Sequence, residues 1–208
     1  MLFARHSVAG VSTKQLRDAA GTRNESVVQY HFGGRRGLVT EILRLHLDAI
    51  ETRRARLVAA IVAEDRTTDL RSLIHALAAP MADDLADPVG RAHLRLVAQL
   101  NHPSRAYHLP FQRTEPVTEA DTHAGTAVVS WLTIALAHLP RPVRTERLAA
   151  LREQLIGLFA ARAQLLDDDP SLCTAANTAL FLENFLDMVV AGLAIEPSES
   201  AIAVSEPT

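Results

Sequence analysis

From Leu38 onward the apolar side chains recur at helical spacing: Leu38, Ile42, Leu45 and Ala49, then, past a polar interval, Leu57 and Ile61. A stripe of that length with a 3.6-residue period cannot be seated in a sheet, where the repeat is two, so it predicts a long helix starting near Arg35. The same period governs most of the chain. Leu70, Leu73, Ile74, Leu77 and Met81 form one stripe, with Thr67 or Thr68 as the expected cap. Asp87-Pro88 reads as an N-cap followed by proline in the first turn of a helix that runs to Leu100. "THAGTAVVSWLTIALAHL" predicts a buried central helix, ended by Pro140 and Pro142. Long helices are expected over 144–166 and 170–194, with Asp169 capping the second and Pro170 starting it. "NHPSRAYHLPFQRTEPV" has three prolines and no period, so it is a long loop or a broken helix. No segment has the alternation of a strand, and aromatic residues are only 4% of a chain rich in Ala, Leu and Arg. The predicted fold class is all-α.

The totals narrow the function classes. An apolar share of 48% with 22% charged residues is that of a globular protein. No run of eighteen apolar residues is present, and "MLFARHSVAG" is too short in its apolar part for a secretory signal, so a cytoplasmic protein without a membrane partner is expected. The single cysteine, Cys173, excludes an internal disulfide and a multi-cysteine metal site. Charge is unevenly spread. Residues 1–56 hold ten Lys/Arg against five Asp/Glu, whereas 57–208 hold eleven against nineteen, for a whole-chain charge of −3. A basic N-terminal piece on an acidic body is the footprint of a polyanion-binding head.

That head carries a recognisable order. "STKQLRDAAG" predicts a helix of two turns capped by Ser12 or Thr13 and closed at Gly21; a second short helix follows and ends at Gly33-Gly34. Leu16, Ala19 and Ala20 can face Val27 and Val28, which is helix-turn-helix geometry. Arg23, Asn24, Glu25, Ser26 and Gln29 then lie on or near the exposed half of the second helix, where Asn and Gln suit adenine edges and Arg suits guanine. Lys14, Arg35 and Arg36 sit at helix starts, placed for phosphate.

Residues 2–43, with Phe3-Ala4, Gly10, Ser12-Thr13, Leu16, Ala19-Ala20-Gly21, Tyr30-His31-Phe32, Gly33 and Leu38 in order, resemble the DNA-binding head of the TetR family of bacterial transcriptional repressors. The resemblance implies a homodimer that reads a palindromic double-stranded DNA operator and is released by a small-molecule effector. By position, it assigns Thr13, Lys14, Tyr30, His31 and Arg35 to phosphate, Asn24 to Gln29 to the recognition helix, and Phe32 to the head's core. Three features depart from the pattern: the chain begins within the family's first helix, Arg17 replaces a small residue, and Gly21 to Phe32 is one residue longer. The implied division is a DNA-binding head over 1–45, a ligand-binding and dimerisation domain over 46–195, and a flexible tail over 196–208.

In the body, Leu148, Leu151, Leu155, Leu158 and Leu165 form one stripe, widened by Phe159 and Leu166. The last long helix is apolar on two sides, with Phe181, Phe185 and Met188 on one and Leu182, Leu186, Val189 and Leu193 on the other. One core needs one such stripe, so the excess predicts that two copies pair as a four-helix bundle. Residues expected to line a small-molecule pocket are His93, Leu96, Leu100, Tyr107, His108, Phe111, Trp131 and Ala135. His93, His102 and His108 lack a helical metal-ligand spacing, so no metal or other cofactor is expected. No phosphate loop, Gly-x-Ser-x-Gly or His-Glu-x-x-His occurs, and no catalytic residues are assigned; the carboxylate pair Glu183 and Asp187 reads as a polar feature of a dimer seam. The rival readings are a small-molecule-binding helical protein with an impaired head and, behind it, an all-α enzyme.

Overall fold

The computed structural model describes residues 1–21, 27–101 and 123–205. Among them are ten helices and no strand: α1 (Leu2–Gly10), α2 (Thr13–Ala19), α3 (Val27–Phe32), α4 (Arg35–Ala63), α5 (Leu70–Asp84), α6 (Pro88–Leu100), α7 (Ala124–Ala135), α8 (Arg141–Asp168), α9 (Ala175–Ala194) and α10 (Glu199–Ser205). The all-α expectation holds. No single helix among the described residues is long and apolar enough to cross a membrane.

Local chemistry sets several of these ends. Ser12 and Gln15 form a reciprocal capping box at α2, each side chain engaging the other's backbone N–H. Asp87 accepts from the N–H groups of Val89 and Gly90 and, with Pro88 in the first turn, starts α6 as expected. The cap of α5 is Asp69 rather than Thr67 or Thr68, because its carboxylate reaches both the N–H and the hydroxyl of Ser72. Asp169 and Pro170 open only a 3-10 turn, Pro170–Leu172; Thr174 caps α9 by accepting from Asn177 N at 3.2 Å. α7 ends at Ala135, before the prolines, and buries one stripe (Val128, Leu132), leaving Val129 and Ile134 exposed. It is a flanking helix, not a buried central one. Residues 199–205, expected in a flexible tail, form α10 and touch α8.

α5 is the hub of the body, packed against α4, α6, α7 and α9. Its interior Pro80 has no N–H, so the carbonyl of Ala76 one turn earlier lacks its helical donor. Arg54 of α4 supplies one: its Nε donates to Ala76 O at 3.0 Å and its Nη2 to Leu77 O at 3.2 Å. Nη1 of the same buried guanidinium pairs with Glu51, whose other oxygen accepts from Gly125 N at the start of α7. Burial pulls the pKa of Arg54 below its ordinary value, and the Glu51 carboxylate opposes that shift. One arginine therefore joins α4, α5 and α7.

The apolar interior falls into two clusters. The larger runs from Ile61 through α5, α7, α8 and α9, around Phe159 and Leu132. The smaller contains Phe3, Val8, Val11, Leu16 and Val39 and is completed by Leu96 and Leu100 of α6. The head boundary expected at residue 45 thus falls inside α4, and the smaller core is closed by a helix of the body.

Candidate functional site

At the N-terminal end, Thr13, Lys14, Gln29, Tyr30, His31 and Arg36 are exposed, and Tyr30, at 84%, is nearly as open as an aromatic side chain can be. The Tyr30 and His31 rings meet edge-on, 5.0 Å apart. Gly33 and Gly34, both at positive φ, make the turn from α3 into α4. Leu16 is buried and Val28 half-buried, but Ala19 and Ala20 lie on the surface and do not join the small core. Phe32, expected in the head's core, is only half-buried. Arg17 turns its guanidinium to Asp18 at 3.2 Å. Arg23, Asn24, Glu25 and Ser26 lie outside the described residues.

Arg35 makes contacts inside the protomer. Its Nη1 donates to the carbonyls of Val8 and Ala9, 3.2 Å from each. These are last-turn carbonyls of α1, which have no helical partner, and a cation there also suits the helix dipole. Ser7, at φ 62° and ψ 161°, breaks α1 internally, and Gln99 of α6 donates to the Ala4 carbonyl at 3.0 Å. Arg35 is therefore a cap that holds α1, whatever else it does.

The residues expected to form one pocket are divided. Leu96 and Leu100 belong to the small core, where they are buried against α1 and α4. Trp131 and Ala135 pack half-buried on the large core. Tyr107, His108 and Phe111 lie outside the described residues. His93 is buried, but its neighbours are His46 of α4 and Asp84 of α5, which sequence reading did not single out. The His46 and His93 rings stack 4.3 Å apart, tilted by 31°. One ligand-capable atom from each of His46, Asp84 and His93 lies within 4.8 Å of the others. Arg53 Nη2 donates to Asp84 Oδ1 at 2.5 Å and to Pro80 O at 2.9 Å, and its Nε stands 3.9 Å from Asp83. Gly90 permits this crowding: a Cβ there would stand 2.9 Å from Asp84 Cα. Burial, reinforced by His46 and Arg53, lowers the His93 pKa to about 3, so the imidazole is neutral; burial also raises that of Asp84, against the pull of Arg53. No spacing rule links positions 46, 84 and 93, so only the apposition of three helices discloses the group.

The expected dimer residues also separate. Leu151, Leu155, Phe159 and Phe185 are buried within the protomer, and Leu148 and Phe181 are half-buried. Phe159 contacts Phe181 and Phe185 edge-on at 5.1 and 5.4 Å, and the Arg162 guanidinium lies over Phe181. These residues fill the protomer's own core because α8 and α9 meet through large rings. Left outside are Leu158 and Leu165 of α8 and Leu180 (69%) and Met188 (63%) of α9. Met188 also lines a groove of about 100 Å³ between α8 and α9, together with Arg147, Gln154 and Gly192 among others. Glu183 and Asp187 are both paired with Arg71 of α5, at 2.5 and 2.6 Å.

No protein-family model, curated protein or solved structure matches the chain.

Proposed function

We propose that the chain is a ligand-responsive transcriptional regulator: a repressor that binds a palindromic operator as a homodimer and is released by a small molecule. The observation that carries the reading is the N-terminal unit itself. Short helices α1, α2 and α3 precede long α4 and pack on a small apolar cluster that Leu96 and Leu100 of α6 complete, and they turn Thr13, Lys14, Gln29, Tyr30 and His31 to solvent from the basic part of the chain. The resemblance of residues 2–43 to the TetR head supports it. In this mechanism two recognition helices enter successive major grooves about 34–36 Å apart. Ligand favours a body conformation in which the spacing is wrong, with a coupling of about 1–3 kcal/mol. An anisotropy titration against DNA flanking the protein's own coding region, at two salt concentrations, tests it. Saturable, competitor-resistant binding that weakens steeply with salt is expected; weak binding without sequence preference overturns the reading.

Single substitutions separate the roles. Lys14→Ala is expected to weaken binding on every sequence and to reduce the salt slope by about 1, whereas Gln29→Ala changes base preference. Equal losses for both on all sequences would remove α3 from the reading role. Arg35→Ala is a poor probe of phosphate contact because it also uncaps α1.

The homodimer in this reading is built on the exposed apolar residues of α8 and α9, with the buried rings as their support. Leu158, Leu165, Leu180 and Met188 form the surface two copies share. Leu180→Glu together with Met188→Glu is expected to halve the mass seen by sedimentation equilibrium while leaving the helical circular dichroism intact. A wild-type chain that sediments as a monomer would sink the dimer.

A further inference from the structure

We infer that His46, Asp84 and His93 form a binding site for one divalent transition-metal ion of the zinc class. The proposal stands apart from the DNA-binding reading and rests on the chemistry of one buried junction. Three ligand-capable side chains from three helices place their atoms within 4.8 Å of one another. In a tetrahedral zinc site with bonds of about 2.0–2.2 Å the ligand atoms stand about 3.4 Å apart, so closure takes side-chain adjustments on the order of an ångström. Two of the three groups are buried with an unused polar atom: neither His93 Nδ1 nor Asp84 Oδ2 has a hydrogen-bond partner. Leaving such atoms unpaired in the interior is costly, and one cation between them satisfies both.

The donor set selects the ion. Two imidazoles and one carboxylate suit zinc, cobalt or nickel, whereas magnesium and calcium take oxygen ligands. His93 Nδ1, buried and without a hydrogen-bond partner, is available as a ligand atom. Arg53 occupies Asp84 Oδ1 and leaves Oδ2 for the ion, the arrangement in which a second residue orients a ligating carboxylate. Its positive charge opposes a cation, but Asp83 on its other side offsets that charge. Three protein ligands leave a fourth position for water. The junction lies where α4 passes from the small core to the large one, so the ion joins α4, α5 and α6 at that point.

The test is a Co²⁺ and Zn²⁺ titration of tag-free, chelator-treated full-length protein. The expected result is one equivalent of Co²⁺ producing a visible ligand-field band, displaced by Zn²⁺, with Zn²⁺ also raising the thermal midpoint. His46→Ala and His93→Gln should each weaken binding by about 100-fold or more and remove the thermal shift. His46 is half-buried, so His46→Ala keeps the test decisive if His93→Gln fails to fold. No stoichiometric uptake by the wild type, or uptake by His46→Ala equal to wild type, overturns the proposal; the latter would place the metal on other histidines.

Discussion

Gly37→Ala is expected to destabilise the N-terminal unit by about 3 kcal/mol, the upper end of what overpacking costs. α4 begins directly against the end of α3, and a Cβ at Gly37 would overlap the carbonyl oxygen of Phe32. The obstacle is backbone, so no rotamer change relieves it; α3 must swing away from α4. Urea unfolding followed by helical circular dichroism gives the cost, and limited proteolysis reports where the chain opens. Gly157→Ala is the control. Its Cβ meets nothing within 4 Å in the middle of α8, and alanine there should stabilise the protomer by about 0.5–1 kcal/mol. If Gly37→Ala unfolds like the wild type, α3 and α4 do not meet backbone to side chain at this position.

Arg54→Ala is expected to cost about 3–5 kcal/mol, as for a buried ion pair with one partner removed. The loss strands the Glu51 carboxylate and takes the donor from the Ala76 carbonyl that Pro80 left without one. The second effect has its own signature. Pro80→Ala restores an N–H to the Ala76 carbonyl, so it should be worth more in the Arg54→Ala background than in the wild type. A double-mutant cycle on unfolding free energies measures this. Strict additivity would mean that Arg54 acts through Glu51 alone.

These two cases show where sequence reading works and where it stops. A cap at Ser12 or Thr13 for α2 and the Asp87-Pro88 start of α6 are short-range chemistry legible in the sequence, whereas the part of Gln15 in the Ser12 box came only with the structure. Asp69 outcompeted Thr67 and Thr68 within two residues because a carboxylate reaches Ser72. Pro80 could be seen in the sequence, but its compensation by Arg54, 26 positions earlier, could not. The same holds for His46, Asp84 and His93, which share no spacing. Leu151 and Leu158 lie on one apolar stripe, yet one is buried and the other exposed, because position relative to α9 and α6 decides it.

What the sequence determined by itself is the all-α class, the starts of α2, α4 and α6, and a basic N-terminal piece with a polar surface around Lys14 and Gln29. Those follow from periodicity, caps and charge, which act over a turn or two of chain. Only the tertiary structure decided that Leu96 and Leu100 close the small core, that Arg35 caps α1, and that two histidines and an aspartate converge beside Arg53. Each depends on helices distant in sequence lying side by side, and side-chain contacts of a few ångströms have no counterpart in linear spacing.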